Sequence, residues 1–153
     1  MAKVIVVYDS LFGNTKTVAE SIIEGMKQVS GIETTLGKPK EVDLKQITEY
    51  DAMLVGSPNH MGGDTMSIRR FIGKLGKMNL EGKLAAVFDT YAGREFEKAV
   101  KKMEKQINQK APGLKLVTPG LSIKVKGKKG PVLEEELPKC REFGAKIGSL
   151  VKG

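Results

Sequence analysis

Residues 4–8, Val-Ile-Val-Val-Tyr, are apolar at every position, with no polar residue on either alternate face. A strand with one solvated face alternates apolar and polar side chains. A continuous run of β-branched residues must instead be covered on both sides, as in a parallel sheet flanked by helices. Parallel neighbours need a long crossover between them, usually a helix. One is at hand: Val18, Ala19, Ile22, Ile23 and Met26 recur at helical spacing, toward an end near Val29-Ser30-Gly31. The pattern repeats along the chain. Residues 52–56 and 84–88 read as further strands buried on both faces, and residues 32–36 and 114–117 as shorter ones. Between them, Ile68, Phe71, Ile72, Leu75 and Met78 mark one helix, and Phe96, Val100, Met103 and Ile107 mark the next. Residues 43–47 suggest a half-turn of helix before the third strand. Leu137, Cys140, Phe143, Ile147 and Val151 line a last helix, with Glu134-Glu135-Glu136 expected in its first turn, where the macrodipole favours negative charge. Five strands alternating with helices predict a doubly wound, three-layer α/β fold with a five-stranded parallel sheet, as a single domain over residues 1–153.

The first strand runs into Tyr8-Asp9-Ser10-Leu11-Phe12-Gly13-Asn14-Thr15-Lys16-Thr17. Here the chain leaves a strand, turns tightly and opens a helix whose first N–H groups lack partners. Such a start suits an anion by geometry and dipole. The spacing of a nucleoside-triphosphate loop, G-x-x-x-x-G-K-[ST], is absent, as is the G-x-G-x-x-G of a dinucleotide site. What stands there is S-x-x-G-N-T, in which hydroxyls and amides, not a lysine, would hold a terminal monophosphate. An ordinary capped turn is the alternative for these residues alone. Two more loops rich in glycine and small polar residues follow the strands at 52–56 and 84–88. They are Ser57-Pro58-Asn59-His60-Met61-Gly62-Gly63-Asp64 and Asp89-Thr90-Tyr91-Ala92-Gly93-Arg94. In a parallel sheet all three loops lie on one edge.

Ser10-Leu11-Phe12-Gly13-Asn14-Thr15, with Tyr8 two residues before the serine, closely resembles the FMN phosphate loop of flavodoxins. Gly56-Ser57-Pro58, Gly62-Gly63 and Lys139-Cys140-Arg141-Glu142-Phe143-Gly144 look most like the flavodoxin module of A-type flavoproteins. The resemblance spans nearly the whole chain and implies the strand order 2-1-3-4-5, with a crevice between strands one and three. It implies FMN held at its phosphate by Ser10, Leu11, Phe12, Gly13, Asn14 and Thr15. Ser57, Pro58, Asn59, His60, Met61 and Gly62 would lie on one side of the flavin ring, and Asp89, Thr90, Tyr91 and Gly93 on the other. Tyr91 is the implied stacking residue. The chain has no tryptophan, so His60 and Met61 stand where many flavodoxins carry one across the ring. A flavin nitrogen that gains a hydrogen on reduction needs an acceptor. Glycine lets a peptide reverse cheaply, so the Met61–Gly62 peptide is the candidate carbonyl; a plain glycine turn is the other reading.

Charge and composition narrow the partners. The chain carries +8 overall, unusual among commonly acidic flavodoxins, and residues 95–153 hold 14 basic against 7 acidic side chains. Lys124, Lys126, Lys128 and Lys129 contribute much of the excess. A basic rim there would steer an acidic redox protein; solvated lysines without a partner are the other reading. The eight aromatic residues are scattered, with no stacking platform, so nucleic acid is not expected. A local charge near neutral would leave a bound flavin less strongly reducing than in acidic relatives. One cysteine excludes an internal disulfide framework, and one histidine argues against metal. No apolar run approaches a membrane span and the chain starts on a core strand. A cytoplasmic protein without a cleaved leader, monomeric or weakly dimeric, is expected. The function expected is electron transfer between redox proteins through FMN. The alternatives are a small flavin-dependent reductase acting on a quinone or oxygen, and a cofactor-free interaction module.

Overall fold

The computed structural model describes residues 1–152. Its first strand, β1 (Ala2–Tyr8), pairs in parallel on one side with β2 (Ile32–Gly37) and on the other with β3 (Ala52–Pro58). Beyond β3 lies β4 (Leu84–Tyr91), and β5 (Lys115–Leu116) completes the order β2-β1-β3-β4-β5. Helices α1 (Asn14–Met26) and α4 (Leu137–Lys152) cover one face. Helices α2 (Met66–Leu75) and α3 (Lys98–Lys110) cover the other. The continuous apolar run of β1 is divided by the pleat: Val4, Val6 and Tyr8 enter the core under α1 and α4, while Ile5 and Val7 enter that under α2 and α3. Burial on both faces is thus the reason for the run.

The fifth strand differs from the expected 114–117. Only Lys115 and Leu116 pair with β4 there, and the chain rejoins the same edge as β6 (Leu121–Lys124). Pro119 has no N–H for a ladder, and residues 118–120 lie outside strand between the two segments, packed so closely that a Cβ at Gly120 would strike Val100 and Val87. Because β6 runs beside Phe88, Asp89, Thr90 and Tyr91, β4 extends three residues beyond its expected end, turning a predicted loop into strand. Phe96 and Met78 lie outside their expected helices. Glu134–Glu136 is a separate 3-10 turn before α4, not its first turn. The Glu136 carboxylate there accepts the Lys124 N–H at 2.9 Å and pairs with Lys139 at 2.6 Å.

Two buried features hold the layers in place. Helices α1 and α4 cross at glycines: a Cβ on Gly25 would collide with the Arg141 carbonyl, and one on Gly144 with the Ile22 carbonyl. On the opposite face, α3 is capped by side chains at the ends of β3 and β4. Asp89 accepts the Val100 N–H at 3.0 Å, and Asn59 Oδ1 accepts the Ala99 N–H at 3.0 Å. The Ser122 hydroxyl donates to Asp89 at 2.5 Å and accepts the Glu97 N–H at 2.9 Å, tying β6 into the same knot. Asp89 is fully buried, and burial pushes its carboxyl up to about 6 despite the hydrogen bonds from Ser122, Val100 and Asn59.

Gly144→Ala is expected to lower unfolding stability by about 1–3 kcal/mol or more in urea titrations, because backbone must yield to the new methyl. Asp89 gives a pH signature. Its folded value lies above the ordinary one, so its contribution to stability is complete below about pH 4 and is lost as pH rises through about 6. A carbon-detected NMR titration should place the Asp89 carboxyl midpoint near 6, and Asp89→Asn should flatten the fall in stability between those pH values; a midpoint near the ordinary aspartate value would contradict the burial argument.

Candidate functional site

The C-terminal ends of β1, β3 and β4 open into a cleft of about 580 Å³, within the range of small-molecule and cofactor sites. Its first wall is the turn after β1. Asp9 N–H donates to the Gly56 carbonyl at 3.0 Å, carrying the β1–β3 pairing into the turn. The Ser10 hydroxyl accepts the Gly13 N–H at 3.0 Å, so this serine shapes the turn while keeping its own proton to donate. Helix α1 opens at Asn14 with no side-chain cap and no acidic residue in its first turn. Among the described residues nothing within the chain accepts the N–H groups of Asn14, Thr15 and Lys16. Unpartnered amides at a helix start with no acidic residue in its first turn are what a phosphate requires; the one carboxylate of the preceding turn, Asp9, accepts the Ser10 N–H at 2.9 Å. Leu11, Phe12, Asn14 and Thr15 line the cleft.

The second wall follows β3. Pro58, Asn59, His60 and Met61 line the cleft. Ser57 does not: it is fully buried, its hydroxyl donating to the Pro58 carbonyl at 2.9 Å and accepting the Thr65 N–H at 3.0 Å, which anchors the loop to the start of α2. His60 and Gly63 exchange backbone hydrogen bonds at 2.8 and 3.2 Å across a two-residue turn. Both turn residues have positive φ, 53° at Met61 and 78° at Gly62, the pattern of a type I′ hairpin turn. Met61 is 91% exposed at its tip. The Gly62 N–H donates to Glu95 Oε2 at 3.0 Å, so the Met61–Gly62 peptide is held with its N–H toward the third wall.

That third wall is the end of β4 and the turn beyond it: Thr90, Tyr91, Ala92, Gly93 and Glu95. Tyr91 presents its ring to the cleft and meets Phe96 edge to face, with centroids 5.3 Å apart. Burial, then the nearby Glu136 charge, raises its phenol above the ordinary range. Thr90 is buried and joins the walls: its hydroxyl bonds that of Thr15 at 2.9 Å, and its carbonyl accepts both the Asn59 N–H at 2.9 Å and Asn59 Nδ2 at 3.1 Å.

Of the residues expected at the site, Leu11, Phe12, Asn14, Thr15, Pro58, Asn59, His60, Met61, Thr90, Tyr91 and Gly93 are brought together around one cleft. Ser10, Gly13 and Gly62 belong to the turns behind it, and Ser57 and Asp89 are buried beneath it. Asp89 faces the α3 N-terminus and Ser122, not the cleft. Ala92, Glu95, Val125 and Lys128 also line the cleft. Lys128 had a signal in the lysine-rich stretch, whereas Val125 arrives only because β6 rejoins the sheet.

Comparison with known proteins agrees with this geometry. Residues 6–137 match the family model described as flavodoxin. A flavodoxin from Aquifex aeolicus is 35% identical over 96 residues, covering 61% of this chain and 52% of its own length. The chain matches about half the length of such curated relatives. The solved structure of a flavodoxin from the domain Archaea superposes with a TM-score of 0.85 at 28% identity over 99% of both chains. The flavodiiron protein of Giardia intestinalis shares the fold (TM-score 0.82, 21% identity), over 98% of this chain and 36% of its own. Motif, strand order and family match agree, and the chain belongs to the flavodoxin family.

Proposed function

We propose that this chain binds FMN in the cleft and carries electrons between redox proteins, acting as one domain over residues 1–153. Flavodoxin homologues bind FMN, and the residues present fit it. The observation that carries the reading is the set of free N–H groups at the start of α1, beside the Thr15 and Ser10 hydroxyls. These donors would hold the phosphate. Tyr91 on one wall and the His60–Met61 turn on the other would cover the ring faces, with Pro58 at the base. When bound, FMN supplies one-electron chemistry. The chain's part is to bind it, exclude water from its inner edge and present backbone groups to its rim. Glu95 holds the Met61–Gly62 N–H toward the cleft wall, the orientation from which that peptide would have to reverse to offer its carbonyl.

Electrons would pass at the open mouth. Leu11, Phe12, Met61 and Phe96 are exposed apolar groups, and Lys124 and Lys126 are exposed at the end of β6, where Lys124 pairs with Tyr91. An apolar patch bordered by positive charge suits an acidic partner that docks briefly and leaves. Among the described residues no helix is long and apolar enough to cross a membrane, and no cluster of His, Cys, Asp and Glu could hold a metal ion. A cytoplasmic setting is part of this proposal.

Purified protein should be yellow and release FMN, not FAD, on denaturation. Ser10→Ala with Thr15→Ala should weaken FMN binding by about 1–3 kcal/mol, the range for losing hydrogen bonds to a charged acceptor. Unchanged affinity in fluorescence titrations would remove the phosphate assignment. For the partner, reduction of an acidic redox protein should slow as ionic strength rises past the point where the screening length is about 10 Å. Lys124→Gln with Lys126→Gln should flatten that dependence in stopped-flow rates; a slope equal to that of the unaltered protein would leave these lysines as plain surface.

A further inference from the structure

We propose that residues 126–131 form a second wall of the phosphate subsite, with Lys128 and Lys129 supplying the positive charge that loop 10–15 lacks. The inference rests on reading the cleft as an FMN site and adds a source of affinity and selectivity to it. Loop 10–15 offers hydroxyls and amides but no cation of its own, and the dipole of α1 amounts to only about half a charge. A phosphate monoester carries about 1.5–2 negative charges at neutral pH. Most of that charge would go unanswered within loop 10–15.

The fold brings the missing charge from far along the sequence. Val125 and Val132 form a bridge, Lys126 N–H donates to the Pro131 carbonyl at 2.8 Å, and Gly130 N–H to the Gly127 carbonyl at 2.8 Å. The result is a closed, lysine-tipped loop. It is seated on the phosphate loop: a Cβ at Gly130 would fall on the side-chain amide of Asn14, the first residue of α1. Lys129 Nζ lies over the Phe12 ring, 5.9 Å from its centroid, within cation–π reach. Lys128 lines the same cleft as Asn14 and Thr15. Neither lysine is in an ion pair among the described residues. Two cations without an ion pair among the described residues therefore stand at the cleft that the start of α1 also lines, Lys128 directly and Lys129 over Phe12. Their long side chains can reach a dianion there, and their attraction to it depends on ionic strength.

A phosphorylated flavin should then be preferred over the same flavin without phosphate, and the preference should shrink with salt. Apoprotein is titrated with FMN and with riboflavin, following flavin fluorescence, from about 0.01 to 0.15 M salt, where the screening length falls from about 30 to 8 Å. Three proteins are compared: unaltered, Lys128→Gln with Lys129→Gln, and Lys128→Arg with Lys129→Arg. The glutamine variant should lose about tenfold in FMN affinity at low salt, the size of a charge-assisted contact, and show a flatter salt dependence. Its riboflavin affinity should stay within about twofold, and the arginine variant should keep most of the FMN affinity. Circular dichroism confirms that each variant is folded. Unchanged FMN affinity in the glutamine variant, or equal losses for FMN and riboflavin, would overturn this inference while leaving the cleft an FMN site. An unaltered protein that binds neither flavin would overturn the FMN reading and this inference with it.

Discussion

The cleft depends on the backbone pairing of β3 with β4 being carried to its last rung, Pro58 against Thr90. That rung places Thr90 where its carbonyl takes two hydrogen bonds from Asn59 and its hydroxyl meets Thr15. Three loops far apart in sequence are thereby locked to one residue. Rigid strands beneath and short loops above are the arrangement that holds a ligand without large ordering costs on binding. Asn59 does double duty, since its side-chain oxygen also caps α3. A change at Thr90 or Asn59 would thus disturb both the packing of a helix and the shape of the cleft.

Charge is distributed in two tiers. Beneath the cleft, Asp89 and Ser57 are fully buried and spend their hydrogen bonds on helix starts and neighbouring backbone. They act on any ligand only by fixing the walls. Above them the surface is basic, with the second half of the chain carrying most of the excess. Because exposed charges act over roughly a screening length, lysines near the cleft matter more than distant ones. The net charge alone could not make that distinction. It depends on where β6 and the loop after it put Lys124, Lys126, Lys128 and Lys129.

The overall architecture was legible because period and burial are local properties. Unbroken apolar runs at β1, β3 and β4 require cover on both faces, and helical spacing between them provides it. The turn of loop 10–15 was equally readable, since small polar residues between a strand and a helix leave amides exposed whatever lies elsewhere. Edges were less so. The split of the last strand and the lengthening of β4 arise from pairing between residues more than 30 apart, such as Phe88 with Leu121. No local pattern records such a pairing.

Among the candidate residues the same division holds. Asp89 sits in a stretch that reads as loop, and nothing in its neighbours shows that its carboxylate turns inward to Val100 and Ser122. Glu95 carries no motif, yet it holds the Gly62 amide across the cleft. By itself the sequence determined the layers, the parallel sheet and an anion-ready turn after its first strand, because these follow from the chemistry of consecutive residues. Only the tertiary structure decided which side chains face the cleft and which lie beneath it. It alone brought Gly130 against Asn14 of α1 and Lys129 over Phe12, because those outcomes depend on contacts that close only when the whole sheet is assembled.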